Sequence, residues 1–408
     1  MKVLQVNCVH NVGSTGKIVY EIHKALQEKH IESIICYGRG QKVNEPNVYK
    51  TCGELYSKLN NLLSRFTGLM YGGCSFSTFK LIRRIQKERP DIVHLHCLNG
   101  YFVNIYRLIS WLKKSGIKTV LTLHAEFMHT ANCGHAFDCE KWKNGCGKCP
   151  RYKSATKSFF FDNTHVSWKK MKQAFDGFDN LTVASVSPWL MDRAKQSPIL
   201  SDKRHCVVLN GVDTELFKVY DTDNLRKVHN LRDEKIIFHA TPMFSDDPTH
   251  IKGGYYVLKL AEQYLDKNVK FFIAGEYSTN IKCPPNVVLL GKITDQKKLA
   301  MYYSMADVTL LASKKETFSM ICAESLCCGT PVVGFKAGGP EQISIPEYSR
   351  FVEYGDLEQL IMEVENAHSK GCNKHIISEM AKNIYSNKRM TLKYIQKYLD
   401  GSIERENV

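Results

Sequence analysis

Two glutamates separated by seven residues, Glu316 and Glu324, form the most informative pattern in the chain. They bracket the start of a segment with helical spacing, which follows an apolar run ending at Leu311 and stops at Gly329. A helix there has unpaired N–H groups near residues 317–320, where an anion binds readily. Carboxylates roughly 12 Å apart along such a helix are too distant to flank one glycosidic bond but can hold both ends of a nucleotide-sugar. A surface helix with two solvated glutamates is the alternative interpretation.

Two further segments follow this helix, Gly329-Thr-Pro331 and Ala337-Gly-Gly-Pro-Glu341. With the two glutamates, they make the sequence resemble the retaining GT-B glycosyltransferases of family 4, particularly those that build bacterial capsular polysaccharides and exopolysaccharides. The resemblance implies that Glu316 contacts the donor sugar and that Glu324 holds the ribose. It also implies that backbone amides bind the donor phosphates, at Phe318, Ser319 and Met320.

A glycine-containing segment, Asn11-Val-Gly13-Ser14-Thr15-Gly16-Lys17, separates the first predicted strand from its helix. Its glycines permit a tight turn and expose N–H groups. The spacing fits neither a Walker A loop nor a dinucleotide fingerprint. From the residues alone it is either a structural turn or an anion-binding turn. The resemblance implies that Gly13, Ser14 and Gly16 take part in donor binding.

His124 follows the apolar strand Thr119 to Leu123, at the end where crevices form in α/β proteins. A structural histidine is the alternative. The resemblance implies that its ring or adjoining backbone meets the transferred sugar. Glu126 then takes the place of the family's usual carboxylate if the loop shifts.

Lys252 precedes two glycines and a predicted helix, a suitable position for a cation that balances a leaving diphosphate. The resemblance implies this role. The family usually adds an arginine after the preceding strand, but none lies between Ile236 and Lys252, which leaves His250 as the other candidate cation. The family mechanism uses the leaving diphosphate to help deprotonate the acceptor. We therefore expect Glu316, His124 and Lys252 to be the catalytic residues, with no protein nucleophile and no catalytic metal.

Four cysteines fall within seventeen residues, and two of them form a Cys-x2-Cys knuckle. They are Cys133, Cys139, Cys146 and Cys149. Four thiolates can close a tetrahedral zinc site, so a structural zinc ion is one interpretation, and unliganded thiols or a redox disulfide are the others. A zinc ion with four protein ligands would stabilise the loop near His124 and leave no position open for catalysis.

The composition of the 408 residues indicates a globular protein, with 43% hydrophobic residues and a formal net charge of +15. This charge predicts attraction to nucleic acid, anionic lipid or a phosphorylated substrate. A basic run from Arg83 to Arg89, with Lys58, Arg65 and Lys80 upstream among leucines, is either a solvated helix face or a contact with anionic lipid. No signal-peptide core and no run of 18 apolar residues is present. We expect a cytoplasmic protein, at the inner face of the cytoplasmic membrane if the basic segment binds lipid.

Apolar strands alternate with amphipathic helices in both halves of the chain, which predicts parallel sheets covered by helices. The expected fold class is α/β, of GT-B type, with two Rossmann-like domains whose parallel sheets face a central cleft. The expected boundaries are 1–207 for an acceptor-binding domain with a cysteine-rich loop at 129–150, 208–384 for a nucleotide-sugar-binding domain, and 385–408 for a helix that crosses back.

The expected function is that of a retaining hexosyltransferase. Its donor is a nucleotide-diphosphate-sugar, and its acceptor is a lipid-linked or oligosaccharide hydroxyl in surface polysaccharide synthesis. A nucleotide-sugar epimerase of the same architecture is the alternative enzyme, separated by its lack of an acceptor. A zinc-knuckle nucleic-acid-binding protein is the alternative from another class. We expect no nucleic-acid partner, because the basic residues are scattered and no RNA-binding motif is recognisable.

Overall fold

The computed structural model describes residues 1–369 and 373–400, and the chain forms two compact units. Unit 1 comprises Met1–Leu209 and the chain from Thr391, and unit 2 comprises Asn210–Met390. Each unit is a parallel sheet with flanking helices, which confirms the predicted α/β fold class.

Unit 1 contains, among its described residues, one seven-stranded parallel sheet in the order β3-β2-β1-β4-β5-β6-β7. Its strands are β1 (Lys2–Val9), β2 (Glu32–Arg39), β3 (Val48–Lys50), β4 (Ile92–Leu95), β5 (Lys118–Leu123), β6 (Leu181–Ser185) and β7 (Arg204–Val207). Its helices are α1 (Gly13–Glu28), α2 (Glu54–Thr67), α3 (Ser75–Glu88), α4 (Ile105–Ser115), α5 (Phe127–Thr130), α6 (Tyr152–Ala155), α7 (Thr164–Phe175) and α8 (Pro188–Lys195), with a 3-10 turn at Lys141–Lys143. The central strands are buried apolar runs, as a sheet covered on both faces requires.

Unit 2 contains, within its described part, a six-stranded parallel sheet in the order β10-β9-β8-β11-β12-β13. Its helices and strands are α9 (Asp223–Val228), β8 (Lys235–Phe244), α10 (Gly254–Glu262), β9 (Val269–Tyr277), β10 (Val287–Gly291), α11 (Gln296–Met305), β11 (Val308–Leu311), α12 (Met320–Cys327), β12 (Val332–Phe335), α13 (Pro340–Ile343), β13 (Ser349–Val352), α14 (Leu357–Ser369) and α15 (Lys374–Tyr385). One face of the sheet buries Ile237, Leu310 and Val333 against apolar residues of α10 and α14.

The last helix, α16 (Asn387–Leu399), is separate from α15. The chain breaks at Ser386, because the N–H of Val212 donates to the Tyr385 carbonyl and the N–H of Asn387 donates to the Val212 carbonyl. The helix expected over 385–408 therefore begins at Asn387, and residues 401–408 lie outside the described part of the chain.

Helix α2 buries its polar face, which is the reverse of an ordinary amphipathic helix. Its buried residues are Ser57, Asn60 and Ser64. The hydroxyl of Ser57 donates to the Gly100 carbonyl (3.1 Å), and that of Ser64 donates to the Leu69 carbonyl (2.9 Å). Asn60 Oδ1 accepts from the N–H of Cys74 (2.7 Å). These bonds fix the rotation of α2, and its leucines are therefore exposed.

Candidate functional site

Helix α12 lies between β11 and β12 and forms the frame of the candidate site in unit 2. It starts after Ser319, whose hydroxyl accepts from the N–H of Cys322 (3.4 Å). It ends at Gly329, which has a φ of +78°. There the N–H of Thr330 donates to the Ser325 carbonyl and that of Gly329 to the Leu326 carbonyl, both at 3.0 Å. This is the Schellman type of helix end that the glycine predicts.

Glu316 and Lys252 form an ion pair next to the start of α12, with Glu316 Oε1 2.5 Å from Lys252 Nζ. The backbone of Glu316 is fixed on both sides, because its N–H donates to the Ala337 carbonyl and its carbonyl accepts from the N–H of Gly339, both at 2.9 Å. Both charged side chains remain partly exposed, at 16% and 26%. A ligand can therefore reach the pair, with the carboxylate accepting from hydroxyls and the ammonium meeting an anion.

Two glycines bring the backbones that carry this pair close to their neighbours. Gly253 has a φ of +67°, and a Cβ added to it would lie 2.0 Å from the carbonyl oxygen of Ala312. A Cβ on Gly339 would lie 2.4 Å from the carbonyl oxygen of Thr317. Neither position accepts a side chain without backbone movement, so the two glycines determine where Lys252 and Glu316 stand.

The N–H groups of Phe318, Ser319 and Met320 are the free donors next to the ion pair. Within the described part of the chain they have no hydrogen-bond partner. By contrast, the neighbouring N–H groups of Ala337 and Gly338 donate to the two carboxylate oxygens of Glu341, at 3.0 and 2.8 Å. The N–H groups of residues 318–320 are therefore the ones that can bind an anion beside the ion pair.

Glu324 lies further along α12, and Tyr303 positions it. The hydroxyl of Tyr303 donates to Glu324 Oε2 (3.3 Å), and Tyr303 itself is completely buried. Burial, together with the charge of Glu324, raises the pKa of Tyr303 well above its ordinary value, so the phenol remains a donor. Sequence reasoning missed Tyr303, because a tyrosine on a helix before a strand is usually a packing residue.

His239 on β8 is a second residue that sequence reasoning missed. Its Nδ1–H donates to the Leu310 carbonyl (2.9 Å), which leaves Nε2 buried and, among the described residues, without a partner. Burial and then the charge of Lys252 lower its pKa to about 4. His239 is therefore a neutral neighbour of Lys252 and does not add positive charge there.

In unit 1, the turn at Gly13 and the residue His124 lie at the carboxyl ends of β1 and β5, which are separated in the sheet only by β4. Gly13, Ser14 and Gly16 occupy the first turn of α1, so their N–H groups belong to a helix start. A Cβ on Gly16 would lie 3.1 Å from the backbone nitrogen of Asn11. Close packing against Asn11 thus explains the glycine at position 16, whatever ligand the turn holds.

A chain of hydrogen bonds sets the tautomer of His124. Gln5 Oε1 accepts from Nε2–H of His96 (3.3 Å), so Nδ1 of His96 must accept from Nε2–H of His124 (3.4 Å). Burial lowers the pKa of His124 to about 4, so the ring is neutral at pH 7. The ring of His94 lies 3.8 Å from that of His96 at a tilt of 39°, and His94 Nδ1 lies 2.6 Å from the hydroxyl of Tyr398 on α16. Of these three histidines, sequence reasoning identified only His124 as a site residue.

Comparisons with known proteins agree with this architecture. A model described as Glycosyltransferase Family 4 matches residues 15–216, and one described as Glycosyl transferases group 1 matches residues 221–389. The putative colanic acid biosynthesis glycosyl transferase WcaC of Escherichia coli (strain K12) is 22% identical, over 98% of this chain and 99% of its own. The chain belongs to the GT-B glycosyltransferases of family 4.

Solved structures share the fold of this family 4 glycosyltransferase. A sucrose-phosphate synthase from Thermosynechococcus elongatus superposes with a TM-score of 0.68 at 15% identity, covering 98% of this chain and 99% of the other. HepE of Anabaena in complex with UDP-glucose superposes with a TM-score of 0.63 at 14% identity, covering 97% and 99%. Among the described residues of the glycosyltransferase, no helix has the length and apolar character needed to span a membrane.

Glu126 is not placed to act on a substrate, which corrects the expectation that it replaces a family carboxylate. Its side chain is completely buried, with Oε1 2.5 Å from Arg193 Nε and Oε2 accepting from the N–H of Ala136 (2.8 Å). Although burial opposes the charge, the neighbouring His129 ring 3.6 Å away, Arg193 and the N–H of Ala136 lower the pKa of Glu126 to about 2. Glu126 therefore anchors the cysteine-rich loop of the glycosyltransferase to α8.

The four cysteines of that loop all line one small cavity of about 20 Å³. In the described part of the chain, no group of three or more His, Cys, Asp or Glu side chains already stands in a metal-binding arrangement. The structure thus brings the four thiols around one space without joining them at one point.

Because the folded-state pKa of Glu126 is depressed, its stabilising effect is present above the unfolded pKa of about 4.3 and is lost as the pH falls towards 2. Glu126→Gln should destabilise unit 1 by about 1.5–3 kcal/mol at pH 7, because Arg193 loses its charged partner. The difference in free energy of unfolding between Glu126→Gln and the parent should shrink as the pH falls from 4.5 to 2. Urea unfolding followed by tryptophan fluorescence measures this, since all four tryptophans lie in unit 1.

The exposed Glu262, paired with Lys259, provides the matched control. Glu262→Gln should leave the tryptophan transition unchanged. Equal midpoints for Glu126→Gln and the parent at pH 7 would contradict the anchoring role.

Proposed function

We propose that this glycosyltransferase transfers a hexosyl group, with retention of configuration, from a nucleotide-diphosphate-sugar to a hydroxyl of a lipid-linked or oligosaccharide acceptor. We place the reaction in the synthesis of a surface polysaccharide, at the inner face of the cytoplasmic membrane. The observation that carries the proposal is the accessible ion pair of Lys252 and Glu316 beside the three free N–H groups of residues 318–320. The names of two similar proteins support it, since WcaC is assigned to colanic acid biosynthesis and HepE binds UDP-glucose.

In the proposed reaction, the bond between the sugar C1 and the diphosphate oxygen breaks, and the acceptor oxygen bonds to C1 on the same face. The acceptor proton passes to the departing diphosphate oxygen, so nucleoside diphosphate leaves with the proton and no protein nucleophile is required. Lys252 and the N–H groups of residues 318–320 stabilise the negative charge that develops on the diphosphate. This scheme requires no metal ion.

The other side chains orient the donor. Glu316 accepts a hydrogen bond from a sugar hydroxyl, and Glu324, held by Tyr303, accepts from the ribose hydroxyls. Neutral His124 meets the transferred sugar through its ring or adjoining backbone, and the N–H groups at Gly13, Ser14 and Gly16 offer donors to an anion.

Lys252→Ala should lower kcat on the order of a hundredfold with a smaller change in donor KM, because charge builds on the diphosphate only as the bond breaks. Glu316→Gln should lower kcat/KM by about 10- to 150-fold, the equivalent of losing a charged hydrogen bond. Because the two groups contact each other, the double variant should lose less than the product of the single losses. Release of nucleoside diphosphate measures this, with a donor chosen from a nucleotide-sugar panel by thermal shift.

Lys259→Ala is the matched control, since Lys259 is an exposed lysine on the helix that follows Lys252. Wild-type turnover in both Lys252→Ala and Glu316→Gln would refute the assigned site. An inverted anomeric configuration in the product, read by NMR, would refute retention while leaving the site in place.

The contact with the membrane rests on what we term the α2 surface, the exposed apolar residues of α2, of α3 and of the segment 159–161. They are Leu55, Leu59, Leu62, Leu63, Phe66, Phe76, Phe79, Phe159, Phe160 and Phe161. The three segments adjoin one another, since the ring of Phe66 lies 5.2 Å from that of Phe159 and the ring of Tyr56 on α2 lies 6.4 Å from that of Phe76 on α3. Residues 55–87 include six lysines and arginines and no acidic residue. An exposed apolar surface with a basic surround favours an anionic bilayer.

Leu59→Gln/Leu63→Gln should weaken binding to vesicles that contain phosphatidylglycerol by about tenfold or more, because two exposed leucines no longer enter the bilayer. Vesicle flotation measures the bound fraction. Leu265→Gln, which changes an exposed leucine of unit 2, is the control and should bind as the parent does. Parent protein that does not float with these vesicles would refute the membrane contact.

A further inference from the structure

A cavity of about 440 Å³ in unit 1 lies between α3 and the edge strand β3. This volume falls within the range of small-molecule sites. Six of the residues that line it are cationic and none is acidic: Lys42, Lys50, Lys80, Arg83, Arg84 and Lys87. Four of the six lie on one face of α3, because positions 80, 83, 84 and 87 repeat at helical spacing.

Acidic neighbours neutralise only part of this charge. Lys50 pairs with Glu54, and Arg84 pairs with Glu88 while its guanidinium lies over the ring of Tyr49. Among the described residues, Lys42, Lys80, Arg83 and Lys87 have no acidic partner. Four like charges converging on one cavity repel one another unless an anion enters it.

The cavity also borders the exposed apolar residues of the α2 surface. Phe76 and Phe79 line the cavity, and both are exposed, at 71% and 46%. A free phosphate would use only the cations, whereas a lipid would place its headgroup among the cations and its acyl region against the two phenylalanines.

We propose that this cavity binds the phosphomonoester or diphosphate headgroup of a membrane lipid. The proposal rests on the membrane contact of the α2 surface proposed above. It adds a specific headgroup site to the general attraction between that surface and an anionic bilayer. The guanidinium of Arg83 can donate two parallel hydrogen bonds, which suits a doubly charged phosphate better than a phosphodiester with one charge.

The test compares vesicles matched in surface charge, one set containing phosphatidic acid and the other phosphatidylglycerol, with the full chain as the binding partner. The parent should bind phosphatidic acid vesicles at least tenfold more tightly. Lys80→Ala/Arg83→Ala/Lys87→Ala should abolish this preference and lower binding on the order of a hundredfold. Lys169→Ala/Lys170→Ala/Lys195→Ala removes the same charge from exposed positions outside the cavity and should retain the preference.

Equal binding of the parent to both sets of vesicles would overturn the headgroup site while leaving the membrane contact in place. No binding to either set would overturn both. Inorganic pyrophosphate distinguishes a lipid headgroup from a soluble phosphate. If the site binds a lipid, pyrophosphate should displace the protein from vesicles only at concentrations far above that of the lipid. Tight binding of pyrophosphate in the absence of vesicles would overturn the lipid proposal in favour of a soluble ligand.

The cysteine-rich loop supports a second, independent inference. Hydrogen bonds fix the backbone that carries its thiols, with Trp142 Nε1–H donating to the Cys139 carbonyl (2.7 Å) and the N–H of Cys149 donating to Asp162 Oδ2 (2.6 Å). Gly145 and Gly147, with φ of +105° and +141°, turn the chain around Cys146. All four thiols line the same cavity, whose volume of about 20 Å³ suits one small occupant.

We infer that this cavity takes one zinc ion, held by Cys133, Cys139, Cys146 and Cys149 after rotation of their side chains. Rotation is required because the thiols surround the cavity without meeting. Zinc–sulfur bonds of about 2.3 Å to four thiolates would fill a tetrahedral shell, so the ion would stabilise the loop and leave no position for substrate.

Elemental analysis of the full chain, purified without chelators, should find one zinc per molecule. Cys146→Ser/Cys149→Ser should lose it, whereas Cys206→Ser/Cys283→Ser, which changes thiols outside the loop, should keep it. Cobalt added to metal-free protein should give the charge-transfer absorption of thiolate ligands. Wild-type protein without zinc and without that absorption would overturn the inference, as would a disulfide within the loop detected by mass spectrometry.

Discussion

The candidate donor site depends on two places where backbones approach more closely than any side chain permits. At one of them Gly253 lies against the end of β11, and at the other Gly339 lies against Thr317. The first sets the residue before it, Lys252, beside the carboxyl end of the sheet, and the second holds the strand-like segment that carries Glu316. An alanine at either glycine would displace the backbone, and the contact between the two charges would be lost.

The polar groups around the ion pair of Lys252 and Glu316 have different roles. Glu341 occupies the N–H groups of Ala337 and Gly338, which leaves those of residues 318–320 for a ligand. His239 is neutral beside Lys252 and adds no positive charge there. In the proposed function, Lys252 and the N–H groups of residues 318–320 would hold the diphosphate, since no arginine lies between Ile236 and Lys252. The helix start supplies partial charges, and one lysine supplies a full charge.

Patterns within short stretches of sequence predicted those parts of the fold and of the site that depend on neighbouring residues. The alternation of apolar strands and helices predicted both sheets, and Gly329 predicted the end of α12. Contacts between distant residues determined the rest. The break at Ser386 arises from pairing with Val212, and Tyr303 reaches Glu324 only through the packing of α11 on α12. Glu126 lies two residues from His124 in sequence, yet its partner Arg193 is 67 residues away, so no local pattern could reveal that it is a structural anchor.

Helix α2 is the clearest case in which folding energy alone does not explain the structure. The three hydrogen bonds of Ser57, Asn60 and Ser64 contribute about 1 kcal/mol each, whereas burying the exposed leucines would contribute about 1.5–3 kcal/mol each. Leu55, Leu59, Leu62 and Leu63 are all at least 45% exposed, so their loss outweighs the gain from Ser57, Asn60 and Ser64. Stability of unit 1 by itself would favour the opposite rotation of the helix. The observed rotation leaves these leucines exposed, and the proposed contact with a bilayer would bury them. The absence of acidic residues from 55 to 87 suits a bilayer whose surface is anionic.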